Sequence, residues 1–230
     1  MEEPIILFED KQILVLRKPT GWLSQPDGTQ RPDIYNWGRS YLKTRWEKPG
    51  EAYLGICHRL DRQVAGLLVL GKTSKASRRL DQQFLERTTQ KMYLSLSEGT
   101  PPAPCGTLDY PMVRRERKTR KAEDGESSKR AALNYKLIET GTVKGKKASL
   151  MEIQLITGMR HQIRAQLSEL GLPIIGDTLY GGSPPPEDSE LSIGLFANAL
   201  SFDHPVTHER LTFESEPWSQ WPWKLWKRGN

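Results

Sequence analysis

The sequence predicts an α+β fold built on a mainly antiparallel sheet. Short apolar runs suited to strands are mixed with three helical stretches, without the regular strand-helix-strand alternation of a parallel sheet. Gly-, Pro- and Asp-rich punctuation separates these segments. A 36% hydrophobic content in periodic segments is enough for a packed core in a chain of 230 residues, and no internal repeat divides it. One domain over 1-230 is expected.

Ile5 to Phe8 and Ile13 to Leu16 flank the polar Glu9-Asp10-Lys11 and read as two strands joined by a tight turn. Pro19 to Pro32 reads as a loop, and Asp33 as the cap of a helix running to about Leu42. Leu67 to Leu70 reads as a buried strand, and Ser74 to Glu86 as a helix with apolar positions Ala76, Leu80, Phe84 and Leu85. Tyr93 to Leu96 is another strand, followed by a turn at Pro101 to Pro104. Residues 113–130 hold almost no apolar side chain and read as a long basic, exposed excursion. Ala131 to Ile138 and Ala148 to Ile156 read as strands joined through Gly141, Gly145 and a lysine cluster. His161 to Leu170 reads as a helix with Ile163, Leu167 and Leu170 inward, stopped by Gly171 and Pro173. The tail at about 215–230 carries Trp218, Trp221, Trp223 and Trp226 and reads as an anchor against the body, with base stacking as the alternative.

With 34 Lys and Arg against 28 Asp and Glu, the net charge of +6 favours a polyanionic partner. No segment approaches the roughly 20 apolar residues of a bilayer span, and the start Met1-Glu2-Glu3-Pro4 lacks the basic region of a signal peptide. A cytoplasmic protein that does not enter membranes is expected. Cys57 and Cys105 fit neither a disulfide scaffold nor a zinc spacing, and no Gly-rich phosphate loop follows a strand. Free thiols, no metal and no organic cofactor are therefore expected.

The run Ile56 to Arg62, followed by Ala65 to Leu70, places the Asp61 carboxylate between two arginines and beside an apolar segment. Cations there hold a carboxylate ionised while the surroundings exclude water. A reactive group and a structural ion pair both fit this pattern.

His58-Arg59-Leu60-Asp61 with Gly66 and the aliphatic run after it resembles the signature of the RluA-like pseudouridine synthases. Further similar segments occur in the same order: Lys18-Pro19-Thr20-Gly21, Lys91-Met92-Tyr93, Thr157-Gly158-Met159-Arg160-His161-Gln162-Ile163-Arg164, Gly176-Asp177-Thr178-Leu179-Tyr180-Gly181 and Asp203-His204-Pro205. The agreement spans about residues 4 to 214. It implies the pseudouridine synthase fold, a mixed, mostly antiparallel sheet with flanking helices and a central active cleft. It also implies isomerisation of specific uridines in tRNA or rRNA by a stand-alone, cofactor-independent catalytic domain, expected to act as a monomer.

The resemblance makes Asp61 the catalytic carboxylate, Arg164 its charge partner and Tyr93 the residue that covers uracil and relays the C5 proton. A guanidinium lowers a carboxylate's pKa and fixes it bidentately, and tyrosine combines an apolar ring with a polar hydroxyl. Arg59 is the candidate for holding the target nucleotide out of its stack. Arg62, Arg160, His161, Arg114, Arg115 and Lys118 are the further candidates for RNA contact, as are the neighbouring Arg117, Arg120, Lys121, Lys144, Lys146 and Lys147. Three departures from the family pattern bear on efficiency and target: Val64-Ala65 in place of Thr-Ser, Met159 in place of arginine, and Phe196 where Leu-His-Ala is frequent. They motivate one alternative, a catalytically inactive RNA-binding protein of the same descent. A glycosidase using Asp61 is a third reading, but it requires a second placed carboxylate that these motifs lack.

Overall fold

The computed structural model describes residues 2–47, 49–185 and 192–229, so Met1 of the acidic start and Asn230 of the Trp-rich tail lie outside the described residues. In chain order the elements are β1 (Ile5–Glu9), β2 (Ile13–Lys18), α1 (Ile34–Arg45), β3 (Gly55–Ile56), β4 (Ala65–Gly71), α2 (Ser74–Glu86), β5 (Gln90–Glu98) and β6 (Cys105–Arg115). There follow β7 (Lys118–Lys121), β8 (Lys129–Val143), β9 (Lys146–Leu155), α3 (Gln162–Glu169), β10 (Leu195–Asp203), β11 (Arg210–Glu214) and β12 (Trp226–Arg228). The ladders described below are all antiparallel, as the α+β reading predicts. The chain forms two units, Met1–Gln90 with Ala199–Glu216, and Lys91–Asn198 with Pro217–Asn230.

In the first unit β1 and β2 form a hairpin whose turn is closed by Asp10, its carboxylate accepting the Gln12 and Ile13 N–H groups at 2.7 Å each. β2 pairs with β4, Val15 opposite Val69 and Lys18 opposite Gly66. Every residue of β4 is buried, which is why the run shows no polar alternation. Asp33 caps α1 by accepting the Asn36 N–H at 2.7 Å, and Thr73 caps α2 by accepting the Ala76 N–H at 3.1 Å. Ile13, Val15, Leu67, Val69, Leu80, Leu200 and Phe202 form the core cluster, with Phe84 packed against it. Leu85 departs from the helical reading: it is 75% exposed. Ala76, Leu80 and Phe84 follow one i, i+4 row, and Leu85 lies about 100° round from it.

The second unit carries the strand order β5-β9-β8-β6-β7. The fifteen residues of β8 serve two neighbours on one side, β6 along the first half and β12 at Gly141 to Val143. The stretch 113–130 differs from the expected excursion. β6 continues to Arg115, β7 returns with Val113 opposite Arg120, and β8 begins at Lys129. Its side chains are mostly exposed and charged, so the strand period is hidden, with Met112, Val113 and Thr119 the buried anchors. In the tail, Trp221 and Trp223 are buried, Trp223 meets Phe196 edge-on, and Trp218 stays 40% exposed.

Candidate active site

Asp61 lies half-buried in the loop between β3 and β4 of the first unit. That loop is held by its backbone from both sides. On one side the His58 ring Nε2 accepts the Val69 N–H of β4 at 3.0 Å. On the other, residues 18–24 reach almost every peptide around Asp61. The Ser24 hydroxyl donates to the Leu60 carbonyl at 2.9 Å and accepts the Leu60 N–H at 3.0 Å. The Arg62 carbonyl accepts the Gly21 N–H at 2.9 Å and Lys18 Nζ at 3.3 Å, and the Gln63 carbonyl accepts the Thr20 hydroxyl at 3.3 Å. The Val64 N–H closes the turn on the Asp61 carbonyl at 3.0 Å. Gly21 has a φ of 87°, a conformation that explains glycine at that position.

Lys18 is fully buried, yet its ammonium also donates to the Pro19 and Trp22 carbonyls at 3.0 and 2.8 Å. Burial pushes it down to about 7, opposed by the nearby Asp61 charge. A cation inside the first unit therefore sits within the electrostatic reach of Asp61. Cys57 precedes it in the same loop; burial, with the Asp81 charge adding, pushes its thiol up to about 12, so no thiolate is offered there.

In the second unit, Tyr93 is 7% exposed in β5, opposite Ile153 of β9. Alternation along β5 puts Tyr93, Ser95 and Ser97 on one face, a buried row of three hydroxyl residues. Ser95 and Ser97 hydroxyls bond each other at 2.7 Å.

Arg164 is 2% exposed on α3 and forms an ion pair with Asp177, which is fully buried. Its guanidinium also lies over the Tyr180 ring, 5.1 Å from the centroid. The Gly-Asp-x-x-Tyr-Gly run supplies this cradle for local reasons. Gly176 has a φ of 89°, and a Cβ there would come within 2.8 Å of the Trp221 ring. The Asp177 carbonyl accepts the Tyr180 and Gly182 N–H groups, folding the segment back under the carboxylate. The Tyr180 hydroxyl accepts the Thr119 N–H at 2.8 Å and bonds His161 Nδ1 at 3.1 Å.

The expected RNA-contacting residues fall into two groups. Arg59, Arg114, Lys118 and Arg160 are exposed and Arg62 is half-buried. His161 is half-buried, has a φ of 56° and is engaged by Tyr180. Arg115 is engaged too: Glu126 takes Arg115 Nη2 at 2.7 Å and Arg120 Nη2 at 2.8 Å. Glu126 also accepts the Glu123 N–H at 3.0 Å, and that bond with the two arginines holds its carboxyl down at about 2. Sequence reasoning assigns no role to Lys18, Ser24, Asp177 or Glu126. Lys18 and Asp177 stand inside the family-like segments, whereas Ser24 and Glu126 carry no local signal at all. Among the described residues, no cluster of three or more His, Cys, Asp or Glu side chains is arranged to hold a metal ion, and no helix is long and apolar enough to cross a membrane.

The RNA pseudouridylate synthase family model matches residues 12–169. The ribosomal large subunit pseudouridine synthase D of Pseudomonas aeruginosa is 31% identical over 96% of this chain and 70% of its own length. The dual-specificity RNA pseudouridine synthase RluA of Vibrio parahaemolyticus is 34% identical over 88% of this chain and 79% of its own length. Among solved structures, human RNA pseudouridylate synthase domain containing 1 superposes with a TM-score of 0.78 at 22% identity, covering 99% of this chain and 89% of that one. Human RNA pseudouridylate synthase domain containing 4 gives 0.75 at 24% identity, covering 92% and 88%. These two likenesses speak for the fold.

Proposed function

The chain belongs to the RNA pseudouridylate synthase family and is an RNA-modifying isomerase, and from that premise we propose which residues perform the reaction and on which RNA. The product is an isomer of the substrate: the N1–C1′ bond breaks, a C5–C1′ bond forms, and the C5 hydrogen leaves as a proton while N1 gains one. Neither an oxidant nor an energy source is required. The reaction needs an ionised carboxylate near the sugar or base, a proton carrier for C5 and a dry pocket that retains the detached uracil.

Asp61 is the carboxylate. It serves attack on C1′, attack on the base or assistance to a glycal route, because each requires a charged oxygen. Tyr93 stacks on the uracil and relays the C5 proton through its hydroxyl. Arg164 supplies the positive charge that balances the catalytic carboxylate, its own orientation set by Asp177. The observation that carries this reading is the Asp61 loop itself, a carboxylate on a segment whose flanking peptides are pinned by Lys18, Thr20, Gly21 and Ser24.

The substrate is a structured tRNA or rRNA, gripped through phosphates by Arg114, Lys118 and Arg160, with Arg59 at the extruded nucleotide. The net charge of +6 supports this, as do the ribosomal and dual-specificity names of the relatives. The protein works in the cytoplasm as a monomer, as a single catalytic domain and without a cofactor. Mapping pseudouridines across cellular RNA with and without this protein tests the reading. Loss of pseudouridine at defined tRNA or rRNA positions supports it, and an unchanged map refutes it.

A further inference from the structure

We propose that Ser24 is a positioning residue for Asp61, acting through the backbone of Leu60. The proposal rests on the reading of Asp61 as the reactive carboxylate. One hydroxyl serves both polar groups of the residue before Asp61, accepting the Leu60 N–H at 3.0 Å and donating to the Leu60 carbonyl at 2.9 Å. The Leu60 carbonyl shares a rigid peptide plane with the Asp61 nitrogen. Fixing that carbonyl therefore fixes where the Asp61 Cα sits, the point from which its side chain leaves the loop.

No solvent stands ready to replace this hydroxyl, because Ser24 is 4% and Leu60 7% exposed. The bonds that Lys18, Thr20 and Gly21 make to the segment lie downstream of Asp61, at the Arg62 and Gln63 carbonyls. Leu60 and Arg62 are thus gripped one on each side of the carboxylate, and only the Ser24 grip is made by a side-chain hydroxyl using both its donor and its acceptor. Val64 and Ala65, which close the loop, offer no hydroxyl of their own.

A displacement of about 1 Å at a reacting group costs on the order of 100-fold in rate. Ser24→Ala should lower the single-turnover rate constant by roughly 10- to 100-fold while the affinity for an RNA substrate stays within about 2-fold. Ser24→Thr, which keeps the hydroxyl, should restore most of the rate. Should the alanine variant not fold, Ser24→Cys keeps the shape with weaker bonds and should show the same split between rate and affinity. Asp61→Asn is run alongside. If Asp61→Asn is inactive and Ser24→Ala turns over at the wild-type rate, the positioning role is wrong. If Ser24→Ala loses rate and affinity in equal measure, Ser24 is structural only, and the proposal also fails. Turnover by Asp61→Asn overturns the reading of Asp61 and the proposal with it.

Discussion

Arg164 and Asp177 meet through two parallel hydrogen bonds out of solvent: Nε lies 2.6 Å from Oδ2 and Nη2 lies 2.7 Å from Oδ1. Two charges removed from water satisfy each other here, and the pair fixes the plane of the guanidinium on α3.

Breaking that pair from one side should be costly. Asp177→Asn takes the bidentate carboxylate's charge away from a buried guanidinium, and the expected loss of stability is about 3–5 kcal/mol in urea titrations. Replacing both partners by apolar residues, Arg164→Met with Asp177→Leu, should cost less than Asp177→Asn alone. A double variant less stable than the single one would show that the ion pair is itself a net source of stability.

Lys18 makes stability depend on pH in an unusual window. Its folded-state value of about 7 lies below the ordinary 10.5, so below pH 7 both states are protonated and the burial cost is borne in full. Between pH 7 and 10.5 the unfolded chain binds more protons, and stability rises with pH by up to about 5 kcal/mol from this group. The difference in stability between wild type and Lys18→Met, followed from pH 6 to 10, should change with that sign. A difference that does not vary with pH would contradict the assignment.

The basic hairpin of β6 and β7 gives a salt-dependent prediction. If Arg114, Arg117 and Lys118 contact phosphates, neutralising all three should weaken RNA binding and reduce the slope of log affinity against log salt by roughly 0.7–0.9 for each phosphate left without its cation. Neutralising Arg115 should do less, because Glu126 already holds it. An unchanged slope in the triple variant would return the hairpin to ordinary solvated surface.

Tyr93 separates ring from hydroxyl. Tyr93→Phe keeps the stacking face and should bind RNA normally while losing most isomerisation in single-turnover assays. Tyr93→Leu should weaken binding of the base as well. Near-normal chemistry in the phenylalanine variant excludes an essential proton relay.

Much of this architecture is legible in the sequence where a local rule acts. Asp33 and the i, i+4 row of Ala76, Leu80 and Phe84 locate α1 and α2 closely, since capping and periodicity are short-range. β6 and β7 escape notice because charged residues outnumber the buried Met112, Val113 and Thr119. The site is legible only in part. The motif that names Arg164 says nothing of Asp177, thirteen residues away across a loop, and Ser24 looks like any loop serine until the chain brings it 36 residues back against Leu60. Partnerships made by tertiary folding leave no spacing to read.

The central claim is that Asp61 carries the chemistry. Asp61→Asn removes the charge with little change of shape, so the purified variant should bind its RNA with near wild-type affinity and form no pseudouridine in a single-turnover assay that reads product directly. Substantial product from that variant would contradict the account.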